Sequence, residues 1–382
     1  AHAAHPSPWV TTVGATTGTQ SRGSVTLSGG PRLVGAMSSG QRPGPVGLVL
    51  GSRIAAPGRS VRAAARCRPG SLDAGRAAGR VVVCRRGEIG RVDKSATVAQ
   101  ADGVGMVLVN TAPGSVDADF HSVPTVHLDA RAGRTLVAWA RSHPQARVRL
   151  APAGIARFRP RVPAWSRAGD PHSSLLKPDL LAPGVGVLGA VPPDERGLRW
   201  DLESGTSAAT AAVSGLAAAL GAAPGWTPGQ VRSALATTAG SLPGQGPLRK
   251  GAGLAAARPS ARPHLAYLPR PGSFRRWLDG PARSDALDTP SVLLAHTSSS
   301  PSVVERRVTN VSGRARYFSS TATGFGHHQV LVTPAATRLA PGESLTFRIH
   351  VYGVGSRTLD DGAVTWTAAD GSAVRIPVVI TH

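Results

Sequence analysis

"DLESGTSAATAAVSG", Asp201 to Gly215, sets Gly205, Thr206 and Ser207 at the head of an alanine-rich run. Val213, Leu216 and Leu220 follow at three- and four-residue spacing, so the run reads as a buried helix. A hydroxyl in the first turn of such a helix has two ordinary uses. It caps the helix by accepting a backbone N–H, or it is a nucleophile held where N–H groups and the helix dipole stabilise a developing oxyanion. Serine is a weak nucleophile until a neighbouring base takes its proton. The stretch alone leaves both readings open.

Working outward, "WTPGQVRSALATTAG" (Trp226 to Gly240) carries Thr227 as N-cap, Pro228 at the first helical position and Gln230 three residues after the cap. That is a capping box, with Val231, Ala234 and Leu235 as the buried face and Gly240 as the stop. Upstream lies "LLKPDLLAPGVGVLGAV" (Leu175 to Val191), where Asp179 is expected to fix the turn before a strand running toward Val185. Residues 1–28 hold two strands, Trp9 to Val13 and Ser24 to Leu27. The chain opens close in front of the first strand, which suggests that a preceding segment is missing.

Residues 29–151 form a small mixed α/β unit. Its strands are "GRVVVCRRG" (Gly79 to Gly87), "VGMVLVN" (Val104 to Asn110) and "VPTVHLD" (Val123 to Asp129), and Leu136, Val137 and Ala140 mark a following helix. Residues 152–275 carry the serine, and from 285 to 382 the pattern turns all-β. "VVERRVTNV", "QVLVTP", "SLTFRIHVYG", "GAVTWTA" and "AVRIPVVIT" alternate apolar and polar residues, as a β-sandwich of about 100 residues does.

Composition narrows the function classes. With 41% hydrophobic and 17% charged residues, the 382-residue chain is globular and long enough for two or three domains. The net charge of +22 comes almost wholly from Arg, since only Lys94, Lys177 and Lys250 are lysines. The arginines are scattered and aromatics make up 4%, so no nucleic-acid partner is expected, although the charge would suit contact with an anionic cell surface. No run of 18 apolar residues suggests a membrane span.

"SGTSAATAAVSG" resembles the serine motif of the subtilisin-like serine proteases, the subtilases, commonly written SGTSMATPHVAG. Gly205, Thr206, Ser207, Ala209, Thr210, Val213 and Gly215 match, whereas Ala208, Ala211, Ala212 and Ser214 depart. "LLKPDLLAPGVGVLGAV" is similar to the family's KPDIxAPGxxIxAA, "AWSRAGDP" to its FSSRGP, and "PGWTPGQVRSALATTA" to its PxWSPAxIRSALMTTA. "CRPGSLDAGRAAGRVVVCRRG", "ADGVGMVLVN" and "DADFHSVPTVHLD" resemble the protease-associated domain inserted in plant-type subtilases. "DTPSVLL", "RRVTNVSG" and "GAVTWTAADGSAVRIPVVI" resemble the fibronectin-III-like domain that ends them.

The resemblance implies an α/β fold. It would comprise part of a doubly wound parallel sheet, an inserted α/β domain and a C-terminal β-sandwich. It implies a secreted serine endopeptidase acting on polypeptides through an acyl-enzyme on Ser207, with Gly205 and Thr206 shaping the backbone at the oxyanion site. It also implies a Cys67–Cys84 disulfide and a homodimer through the inserted domain. No cofactor or metal is implied by any acidic cluster.

In this family the triad runs Asp, His, Ser along the chain. Neither the D-[ST]-G nor the HGTxVA context occurs here, nor the "AGN" of the oxyanion asparagine. Asp73 precedes Ala74-Gly75 but lies in "SLDAGRAAGR" of the inserted unit, and reads as structural. Asn110 and Asn310 read as scaffold positions of the two accessory domains. The chain is therefore expected to be the C-terminal portion of the enzyme and inactive alone. The alternative is a non-catalytic remnant that binds proteins through its accessory domains. His327-His328 reads as a surface pair with no nearby carboxylate, and Asn310-Val311-Ser312 as a glycosylation sequon.

Overall fold

A computed structural model describes residues 2–3, 5–157, 159–193, 199–222, 224–256, 262–270, 272–279, 287–295, 301–353 and 359–381. Two units emerge from their packing. The first comprises Ala1–Thr17, Pro160–Gly184 and Gly205–His382, and the second Gly18–Arg159 with Val185–Ser204.

In the first unit Val13–Thr16 (β1) and Leu180–Pro183 (β9) pair in parallel, from Val13 opposite Leu180 to Thr16 opposite Pro183. Both are short, nearly all-buried runs, as parallel strands covered by helices require. The serine helix Thr206–Gly221 and the capped helix Pro228–Thr237 supply that cover. Ala209, Val213 and Leu220 of the one and Val231, Ala234 and Leu235 of the other share a core with Val13, Ala15, Leu180 and Ala182. Of the expected doubly wound sheet, the described residues hold these two strands and a parallel bridge from Leu181 to Leu254.

The first strand lies four residues later than Trp9. Trp9 instead packs edge-on against Phe274 and Trp277, with ring centroids 6.4 and 5.8 Å away. The capping box forms in full: the Gln230 N–H donates to Thr227 Oγ1 at 3.3 Å, and the Thr227 N–H donates to Gln230 Oε1 at 2.7 Å. Asp179 takes the Thr12 N–H at 2.7 Å and pairs with Lys177 Nζ at 2.6 Å, which ties the entrances of β1 and β9 together.

The sandwich packs within this same unit. One sheet orders Leu265–Ala266 (β12), Ser302–Asn310 (β14), Ser344–Tyr352 (β18) and Gln329–Thr333 (β16). The other orders Val292–Ala295 (β13), Ala373–Thr381 (β20), Asp360–Ala368 (β19), Arg316–Thr323 (β15) and Ala336–Leu339 (β17). Phe347 and Trp366 meet edge-on across the core at 5.3 Å. Residue 285, where the sandwich was expected to start, lies outside the described residues. Ser233 Oγ accepts the Tyr267 N–H at 2.9 Å, and Lys250 pairs with Asp361 at 2.8 Å, so this sandwich does not stand apart from the helices before it.

One expectation about the sandwich needs correcting. The His327-His328 pair does have a carboxylate beside it. Asp360 accepts the N–H groups of Gly326, His327 and His328, and its Oδ2 lies 2.9 Å from His328 Nδ1. Burial opposes the Asp360 charge, but these donors outweigh it and hold its pKa down to about 2. His328 is buried because the loop folds over that carboxylate. Asn310, read as a scaffold position, is fully buried, and its amide donates to the Arg314 and Leu339 carbonyls.

The second unit is a closed seven-strand barrel. Its order is Thr19–Leu27 (β2), Arg32–Ala36 (β3), Thr125–Leu128 (β7), Gly105–Val109 (β6), Val81–Arg85 (β5), Val46–Leu50 (β4) and Arg147–Arg157 (β8). Strands β4 to β7 run parallel and the rest close the barrel antiparallel. The β2–β8 ladder runs from Thr19 opposite Arg157 to Leu27 opposite Val148. The Ser24–Leu27 strand therefore belongs to the barrel and not with β1, and the divisions expected at 28 and 151 move outward to the ends of this ladder. A hairpin of Val187–Ala190 (β10) and Trp200–Glu203 (β11) belongs to the same unit. Cys67 and Cys84 are joined by a disulfide, Cα atoms 5.6 Å apart, amid Ile54, Val82, Val98 and Met106.

Candidate active site

The helix that carries Ser207 begins where two parallel strands end. β1 stops at Thr16 and β9 at Pro183, and the Gly184 N–H bonds back to the Thr16 carbonyl at 2.9 Å. Gly184 in turn accepts the Gly205 N–H at 2.9 Å. A Cβ at Gly184 would stand 2.7 Å from both Ala15 Cβ and Gly205 O, so the approach of helix to sheet needs glycine there. Ligands of open α/β sheets bind beyond the carboxyl ends of the strands, and this turn lies there.

The N-cap of the helix is Gly205, in extended backbone, and no side chain caps it. Thr206 and Ser207 are the first two helical residues, and both are exposed. This removes the plain-cap reading of Ser207. Its hydroxyl accepts no N–H, and among the described residues nothing hydrogen-bonds to it, no histidine or carboxylate included. The first-turn N–H groups have no intrahelical acceptor either. A solvent-facing hydroxyl and free donors thus share the dipole-positive end of a 16-residue helix. Thr210 Oγ1 satisfies itself on the Thr206 carbonyl at 2.8 Å. Val213 and Leu220 hold the opposite face in the core, as their spacing predicts, with Leu216 packed against it.

Sequence reasoning missed Ser204, a residue of the barrel unit. Its hydroxyl accepts the Gly186 N–H at 2.9 Å and donates to Asp117 Oδ1 at 2.8 Å. Asp117 is the centre of a buried polar knot. Arg91 lies 3.0 Å from its Oδ2, Ser115 Oγ donates to it at 2.7 Å, and Arg91 also clasps Asp119. His127 Nδ1 accepts the Asp117 N–H at 3.0 Å, while its Nε2 lies 2.8 Å from Asn110 Oδ1. Asn110 is thus a scaffold residue through hydrogen bonds.

Burial raises the cost of the Asp117 charge, but Arg91 and the two hydroxyls more than offset it and keep its pKa below the usual range. Burial drives His127 and His121 down to about 4, so both are neutral at pH 7. The only local signal was the pair of acids in "DADFH", and nothing in it points to Ser204. Among the described residues no group of three or more His, Cys, Asp or Glu is placed to hold a metal ion. No described helix is long and apolar enough to cross a membrane.

Comparison with known proteins places the sequence in a family. The profile of the subtilase family matches residues 6–258, and that of a fibronectin type-III domain matches residues 286–380. Subtilisin-like protease SBT1.3 of Arabidopsis thaliana is 34% identical over 224 residues, which cover 53% of this chain and 28% of that protein. Subtilisin-like protease SBT1.2 of the same plant is 28% identical over 451 residues, 99% of this chain and 57% of that protein. The CO(2)-response secreted protease of Arabidopsis thaliana is 27% identical over 98% of this chain and 57% of its own length. The chain therefore spans little more than half the length of these relatives at most.

Proposed function

The chain belongs to the subtilase family, and from that membership we propose that Ser207 is the nucleophile of a secreted serine endopeptidase acting on polypeptides. The observation that carries the reading is a hydroxyl excused from capping, exposed and unpartnered at the uncapped head of its helix. Ser207 Oγ attacks the scissile carbonyl carbon, and its proton passes to a histidine base. The Ser207 N–H donates to the oxyanion, with Gly205 and Thr206 setting the backbone direction. The base then protonates the leaving amine, and water releases the acyl group from Ser207.

The histidine, its aspartate partner and the second oxyanion donor have no counterpart motif in these 382 residues, so we assign them to sequence of the whole protein outside this chain. The barrel unit is read as the inserted protease-associated domain, and its disulfide suits an extracellular setting.

A fluorophosphonate probe tests the reading directly. Protein made from the complete coding frame should be labelled at Ser207, and the 382-residue chain alone should stay unlabelled. No label on either leaves a non-catalytic subtilase whose accessory domains bind proteins.

A further inference from the structure

Some cations of the barrel unit are held by partners, and three others are gathered in one groove. Arg62, Arg66 and Arg68 surround Glu88, Arg91 holds Asp117 and Asp119, and Arg86 bonds Asn110 and Ser115. Arg85, Arg134 and Arg141 instead line one groove of about 290 Å³ together with Asn110, Thr111 and Gly133. No carboxylate lines it, and among the described residues none of the three guanidinium groups has a hydrogen-bond or ion-pair partner.

The groove is built by the fold. Arg85 ends β5 opposite Val109, the last residue of β6. The helix Ala130–Ser142 lies over these strand ends because Gly133 has no side chain: a Cβ there would stand 2.9 Å from Val109 Cβ. Arg134 and Arg141, two turns apart, then face the groove from the helix, and the Arg53 guanidinium donates to the Arg141 carbonyl at 3.1 Å. Three like charges face one groove with no carboxylate among its lining residues, so nothing in the lining competes for them. An anion bound there would meet all three.

We propose that this groove binds the phosphate row of a linear phosphodiester polymer. Arginine suits phosphate because its planar fork donates two hydrogen bonds to two oxygens. Arg134 and Arg141 are roughly 10 Å apart along the helix axis, so one oxyanion at either end leaves the other guanidinium open, whereas a row of phosphates meets both. No aromatic ring lines the groove, so a stacked nucleobase has no platform and the backbone phosphates alone are recognised.

The test is calorimetric titration of the full chain with a glycerol-phosphate tetramer, with inorganic phosphate, and with a thymidine oligonucleotide of equal phosphate count. Three engaged phosphates predict a log–log salt slope of about −2. The variant R85Q/R134Q/R141Q should weaken tetramer binding by about tenfold or more and flatten that slope. R32Q/R59Q/R149Q removes the same charge from exposed, unpartnered arginines elsewhere in the unit and should leave the affinity within about twofold. R134Q alone, at an exposed helix position, should give an intermediate loss. Equal weakening in both triple variants overturns the site in favour of diffuse attraction to a +22 chain. Inorganic phosphate binding as tightly as the tetramer overturns the polymer, and tighter binding of the oligonucleotide overturns a base-free ligand.

Discussion

The head of the serine helix and the knot around Asp117 treat polar groups in opposite ways. At Ser207, which is exposed, neither the hydroxyl nor the N–H has a partner among the described residues, and no side chain caps the helix. Around Asp117 the polar atoms are largely buried and engaged: two serine hydroxyls, Arg91, a histidine and an asparagine interlock within a few ångströms. Ser204 and Ser207 are three residues apart in sequence and fall on opposite sides of this divide. A satisfied buried network specifies structure, whereas free donors at a helix head are available to chemistry. The comparison separates scaffold from site better than residue type does.

The sharpest way to break it is Ser207→Ala in protein made from the complete coding frame. A kcat loss of about 10⁶ is the cost in subtilisin, a member of the same family, and is carried over from it. Thermal stability should stay within about 0.5 kcal/mol, because an exposed, unbonded hydroxyl supports nothing. Retained activity in steady-state peptide hydrolysis would end the assignment of Ser207.

Asp117→Ala should do the reverse. It leaves Arg91 with only Asp119 and strips Ser115 and Ser204 of their acceptor, so a loss of about 3–5 kcal/mol is expected in urea unfolding of the barrel. A loss below about 1 kcal/mol would mean that the knot contributes no more than an exposed ion pair does.

Acid should weaken the barrel before it weakens the sandwich. His121 and His127 ionise near 4 when folded and near 6.5 when unfolded, so between those values the unfolded chain binds protons the folded one does not. Their contribution is complete above pH 6.5 and is lost as pH falls toward 4. The Asp360 carboxylate of the sandwich, folded value about 2, gives up its contribution only below its ordinary 3.8. Hydrogen-exchange protection factors, corrected for the intrinsic fall of the rate with pH, should therefore drop at Val107 between pH 7 and 4 and change little at Ile349. Parallel behaviour would remove the distinction.

Thr227→Ala gives the smallest expected effect and the control for Ser207. Here the hydroxyl is a true cap, and its loss should cost about 1 kcal/mol by thermal melting. Ser207→Ala should cost nothing on the same scale. Equal costs would mean that Ser207 caps its helix in solution.

Legibility followed sequence distance. The capping box from Thr227 to Gln230, the helix face at Val213, Leu216 and Leu220, and most strands of the sandwich could be read directly, because each depends on residues a few positions apart. What could not be read was closure. β2 and β8 meet across more than a hundred residues, and their pairing moved one predicted strand from the β1 sheet into the barrel. Asp360 reaches His328 over 32 positions, and Asp117 reaches Ser204 over 87. The Asn310 sequon is a three-residue pattern whose burial is decided by strands on either side.

What the sequence determined by itself is that a serine stands in the first turn of a small-residue helix, inside motifs shared with the subtilases. It also determined which segments have the period of helix or strand, since periodicity is a local property of the chain. The tertiary structure alone decided that Gly205 and not Ser207 takes the N-cap position, that a hydroxyl three residues earlier is locked to a distant carboxylate, and that three arginines from a strand and a helix share one groove. Hydrogen-bond partners and charge neighbours depend on which distant surfaces pack together, and no local pattern encodes that.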